Sequence, residues 1–233
     1  MAQDSNYQTP HETIADHGHS LVRAGIGSIP VVGSAAVELF QSIVTPPLER
    51  RRQQWMEEVA LGLRKVEEKQ GCIIEDLSSN DAFIDTVMSA SQAAIRTSQE
   101  EKRKALKNAV LNAALPNAPD ESRQQLFVNL IDSMSPWHIR ILRFFSDPVK
   151  VFRELGKQPP EYGIGSSLSQ ILTTAYPELE HERSLYDQIV KELHSRGLLG
   201  TDQLHTMMSG NGVYQKRTTQ MGDQFLQFIS EPL

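Results

Sequence analysis

Between Ala24 and Pro47 the chain reads AGIGSIPVVGSAAVELFQSIVTPP, with Glu38 as its one charge. A bilayer-spanning helix needs about 20 apolar residues. From Ala24 to Val37 there are fourteen uncharged residues with Pro30 in the middle, a length that suits a buried core helix or an interfacial piece. Extending the run to Pro47 reaches spanning length only by taking a carboxylate into hydrocarbon, which is costly. Glycine costs about 1 kcal/mol inside a helix. Gly25, Gly27 and Gly33 therefore favour a segment that is kept adaptable or that approaches a neighbour or a bilayer closely. Asp4, Glu12 and Asp16 precede the run where a secretory signal would carry basic residues.

The remaining composition narrows the function classes. The 233 residues suffice for one large domain or two small ones. The net charge of −6 gives no general attraction to nucleic acid. Cys72 is the only cysteine, so no internal disulfide forms, and a reducing cytoplasm is expected. No repeat or low-complexity tract interrupts the chain.

Residues 1–12 read as a loose tail. Residues 13–160 read as a helical bundle that includes the Gly-rich run at 24–47. Thr13 to Ala24 could form a short helix, and Ser34 could cap a second over Ala35 to Val44, ended by Pro46-Pro47. A third is expected from Leu48 to Lys69, because Leu48, Trp55, Val59, Leu63 and Val66 fall on one stripe of period near 3.6. Further helices are predicted after Ser79 or Asn80, from Glu100, after Asp120 or Ser122, after Ser135-Pro136, and over Val149 to Leu155. Pro159-Pro160 and Gly163 to Gly165 mark the clearest internal boundary.

Beyond it, Ser166 to Leu179 and Glu182 to Leu198 read as two helices. Asn211-Gly212 is a hairpin turn signal, and Thr219 opens a final helix. Gly197-Leu198-Leu199, the tip from Gly210 to Gly212 and Thr219-Gln220-Met221-Gly222 together resemble a winged helix over residues 166–230. That resemblance implies a small β-hairpin wing. Residues 21–160 resemble bacterial all-helical proteins, and GSIPVVGSAAVELF followed by PPLERRRQQW resembles the opening of HeLo-type membrane-active domains. It implies contact with a membrane.

Candidate chemistry is sparse. Gly25-Ile26-Gly27 lacks the preceding strand and acidic partner of a dinucleotide fingerprint, and no G-K-[ST] exists for a P-loop. His11, Glu12, Asp16, His17 and His19 have metal-ligand chemistry, but their spacing matches no standard site. Cys72 has no histidine near it in sequence, and His138 beside Trp137 reads as structural. Nothing resembles a Ser-His-Asp set. In a winged helix, Glu182 to Leu198 would face DNA with Asp187 and Glu192 among its outward residues. From Gly165 onward there are five basic and eight acidic residues, a net of −3; DNA-docking faces are normally basic. Only Lys216 and Arg217 at the wing fit nucleic-acid contact.

The sequence therefore predicts a mainly α protein: a helical bundle, then a winged-helix-like module at 165–233. It is expected to be non-enzymatic, with no cofactor and no metal. Its expected role is a membrane-contacting or partner-binding effector of the bacterial stress or defence kind, cytoplasmic or peripheral at the inner membrane face. The contact residues are Gly25, Gly27, Ile29, Val31, Val32, Gly33, Val37, Phe40, Arg50, Arg51 and Arg52. A DNA-binding regulator and a soluble scaffold are the alternatives, and homo-oligomer formation is left open.

Overall fold

The computed structural model describes residues 34–70, 74–162 and 165–232. The chain divides into two compact units at Pro47/Leu48. One helix, α1 (Ser34–Gln70), runs across that division with Pro46 and Pro47 inside it. The break expected at the two prolines is therefore absent. Each proline lacks the N–H that would bond four residues back, here to the carbonyls of Ser42 and Ile43. Both residues are exposed, so water can satisfy those carbonyls.

Within residues 48–233 the stripe read from the sequence is the docked face. Trp55, Val59 and Val66 are buried, and Leu63 packs against the core cluster that includes Trp55 and Val59. The Trp55 indole N–H donates to Ser91 Oγ at 2.8 Å. Gly62 brings the helix so close to Leu111 that an added Cβ would stand 2.8 Å from Leu111 Cδ2.

After the single turn α2 (Ile74–Leu77) come α3 (Asp81–Arg96), α4 (Glu100–Ala113) and α5 (Glu121–Ser133), which pack mutually. Asn80 caps α3 by accepting from Phe83 N at 3.1 Å, and Asp120 caps α5 by accepting from Arg123 N at 3.1 Å. These caps fall where side-chain chemistry requires them. Thr86 and Gln124, both buried, bond to each other at 2.7 Å between α3 and α5. Next are α6 (Pro136–Ser146) and α7 (Pro148–Glu154), each opened by proline in its first turn.

Residues 165–232 complete the same core. They form α8 (Leu168–Ala175), a 3₁₀ turn at Pro177–Leu179, α9 (Arg183–Ser195), a second 3₁₀ turn at Gly212–Tyr214 and α10 (Gln220–Phe228). The expected helix Ser166 to Leu179 is thus two pieces, divided at Tyr176-Pro177. Phe127 of α5 packs edge-on against Phe225 of α10 at 5.6 Å. Phe144 of α6 meets Phe145, Phe152 and Tyr176. Two asparagines of α4 tie down the end of α10. Asn108 donates to Ile229 O at 2.9 Å, and Asn112 to Phe228 O at 2.9 Å and Ser230 O at 2.7 Å.

The hairpin wing is not formed among the described residues. Only two isolated antiparallel bridges occur there, Ser166 with Met208 and Leu199 with Thr218. Asn211 has φ −74°, whereas a tight hairpin turn with Asn-Gly at its centre needs φ above zero; the chain turns through Gly212–Tyr214 instead. Gly197 does adopt φ 71° just past α9, and Leu198 N bonds to Leu193 O at 2.9 Å while Gly197 N bonds to His194 O at 2.9 Å. That pattern closes the helix and releases Leu199 toward Thr218.

Candidate functional site

The predicted contact residues fall into three groups. Gly25, Gly27, Ile29, Val31, Val32 and Gly33 lie outside the described residues. Val37 belongs to α1. Phe40 is 49% exposed, and its neighbours Leu39 and Ile43 are 63% and 62% exposed. Glu38 is exposed as well. Three large apolar side chains thus stand in water within five residues of one helix.

Farther along the sequence, Arg50 and Arg52 are exposed and form no ion pair among the described residues. Arg51 is half-buried, and its Nη1 reaches Ile95 O at 3.5 Å. Of the three arginines, only two are therefore free for a partner. No helix among the described residues is long and apolar enough to cross a membrane.

The candidate nucleic-acid residues are engaged internally. Lys216 pairs with Asp223. Arg217 folds back to donate from Nη2 to Gly212 O at 2.7 Å, with its Nε buried. On α9, Asp187 accepts from His205 at 2.8 Å and Glu192 from Gln188 Nε2 at 2.9 Å. On the helix that would read bases, Asp187, Gln188 and Glu192 are thus engaged within the fold.

A hydrogen-bonded chain at the start of α6 escaped the sequence reading. Ser135 Oγ lies 2.8 Å from His138 Nδ1, which also accepts the Ser135 N–H at 3.2 Å. A nitrogen accepting an N–H carries no proton, so the proton sits on Nε2. Nε2 donates to Glu192 Oε2 at 3.1 Å. Arg196 stands 3.8 Å from that same oxygen and donates to Ser133 Oγ at 2.8 Å. Ser-Pro-Trp-His carries the local half of this arrangement in its sequence. Glu192 lies 54 residues away, and no local pattern connects it.

Serine, imidazole and carboxylate in a row are the parts of a nucleophilic triad. The two nearest backbone groups supply no oxyanion donor. The Ser135 N–H is given to His138, and Pro136 has no N–H. The arrangement is a helix cap on α6 that also ties α6 to α9. Burial is the main cause holding the His138 imidazole below the usual histidine range, against the raising influence of Glu192. Glu192 is itself held below the usual carboxylate range, first by the Gln188 hydrogen bond and then by His138. Burial pushes the Tyr176 phenol up to about 12.

His11, Glu12, Asp16, His17, His19 and Cys72 lie outside the described residues. Among the described residues no group of three His, Cys, Asp or Glu side chains is placed to hold a metal ion. No protein-family model, no curated protein and no solved structure matches this chain.

Proposed function

We propose that this protein acts by contact rather than catalysis, with the first half of α1 as its contact element and an anionic membrane surface as its partner. One observation carries the reading. Three of the ten large apolar side chains exposed among the described residues fall within five consecutive positions of α1: Leu39, Phe40 and Ile43. Exposed apolar side chains gathered on one element favour an interaction surface over chance scatter.

The free Arg50 and Arg52 suggest the sign of the partner. Each basic residue near an anionic leaflet contributes about 1 kcal/mol of attraction. Glu38 within the apolar run opposes deep insertion, so α1 lies at the surface rather than spanning. The role implied by the HeLo-type resemblance, a bacterial stress or defence effector, accords with this reading. The acidic balance of residues 165–233 supports a structural rather than a DNA-reading role for that segment.

Flotation with vesicles of mixed phosphatidylglycerol and phosphatidylcholine tests it. The intact chain should float. The Leu39→Glu/Ile43→Glu double variant should stay in the load fraction, and Arg50→Glu/Arg52→Glu should bind at least about tenfold more weakly. An intact chain that never floats, even after mild heating, removes the membrane from the proposal.

A further inference from the structure

We propose that the groove between the second half of α1 and α4 is a binding site for a small anionic amphiphile: a single alkyl chain bearing a phosphate or a carboxylate. The site lies wholly within residues 48–233, and it goes beyond the membrane-contact reading.

The groove has a volume of 210 Å³. Its apolar lining is Gly62, Val66 and Leu111, with Leu61 exposed beside them. The absence of a side chain at Gly62 sets the two helices close at that point. Three cations also line it: Lys65 and Lys69 one turn apart on α1, and Lys107 on α4. None of the three forms an ion pair or a hydrogen bond among the described residues. Two carboxylates share the lining. Glu58 is paired with Arg103 at 3.5 Å, and Glu231 belongs to the tail after α10.

Across the whole chain 29 acidic residues outnumber 23 basic ones, so a cluster of unpaired cations does not follow from a generally basic surface. Like charges four residues apart on a helix, as at Lys65 and Lys69, repel each other. A bound anion would reverse that repulsion, and its apolar tail would cover groove surface now left to water. The volume admits one short chain and excludes a partner helix, whose diameter is about 10 Å or more.

The probe is monomeric decyl phosphate, titrated by calorimetry into the full-length protein. Inorganic phosphate and decyl maltoside separate head from tail. Decyl phosphate should bind at least about tenfold more tightly than either control. Lys65→Gln/Lys107→Gln should weaken it about tenfold, with the far-ultraviolet circular dichroism unchanged. The Leu39→Glu/Ile43→Glu variant should bind as the natural chain does, which separates this site from the membrane contact. The proposal is overturned if decyl phosphate does not bind, if inorganic phosphate binds equally well, or if the lysine variant leaves its affinity unchanged.

Discussion

The longest helix and one of the shorter ones are anchored in opposite ways. Across its 37 residues α1 buries Trp55, Val59 and Val66, and its outer side carries Met56 and Leu61 in water. The nine-residue α10 buries Phe225, Leu226 and Phe228. Its end is held by Asn108 and Asn112, and its start by Thr219, whose Oγ1 accepts from Gly222 N at 3.0 Å. A Cβ at Gly222 would collide with the Leu198 carbonyl, so α10 fits one position only. Helix length thus says little about anchorage. What matters is how many faces are covered and how many terminal backbone groups are satisfied. The interface of α1 even leaves a defect: Arg103, whose guanidinium reaches Glu58 only at 3.5 Å, has its Nε buried without a partner.

The sharpest way to test that contrast is to empty the core around α6. Phe144 is fully buried and touches three aromatic rings. Phe144→Ala should cost about 4–5 kcal/mol, near the top of the range for deleted aromatics, and should lower the midpoint of cooperative denaturation for residues 74–232 as a whole. If urea denaturation shows a loss below about 1 kcal/mol, the aromatic cluster is not the centre of the fold.

Trp55→Ala should cost less, about 3 kcal/mol, and should act locally. Its indole loses one hydrogen bond and one buried face, while the Phe127 and Phe144 clusters stay intact. Native-state hydrogen exchange should then speed up over residues 48–70 before it changes in α3 to α5. Uniform acceleration across all helices would show that α1 is integral to the core and would erase the contrast with α10.

The parts of this fold legible in the sequence are those set by neighbours within a turn or two. Asn80, Asp120 and Ser135-Pro136 announced helix starts because the cap needs only its own next three residues. The Trp55 stripe was legible through its period. Pro46-Pro47 misled because proline's penalty depends on whether the freed carbonyls meet water, which is a property of exposure and not of sequence. The Asn211-Gly212 signal misled because a hairpin needs two strands to join, and residues around it make single bridges instead. On the candidate site, the basic run at Arg50 to Arg52 was readable, but the inward turn of Arg51 toward Ile95 depended on a helix 44 residues away. The lysine groove joins α1 to α4 and has no signature in either helix alone.

The smallest expected effect concerns the tie between α6 and α9, and its sign follows from the imidazole. In the folded protein His138 Nδ1 accepts from Ser135, so the neutral ring is the bonded form. The groups facing the ring are Glu192 of α9, Arg196 just past its end and Lys102 of α4, and burial outweighs the carboxylate's attraction. The folded pKa therefore lies below the unfolded value of about 6.5. Between those two values the unfolded chain holds more protons, so stability rises with pH across that window and is flat above it. Glu192 adds a second slope of the same sign below about pH 4.5, because its own pKa is depressed by Gln188 and His138. Urea denaturation at pH 7.5 and pH 5.5 should show the natural chain weaker at the lower pH. His138→Asn should be weaker at both and should show a smaller difference between them. If the variant keeps the full pH difference, another histidine is responsible, and the tie at Glu192 contributes to geometry without sensing protons.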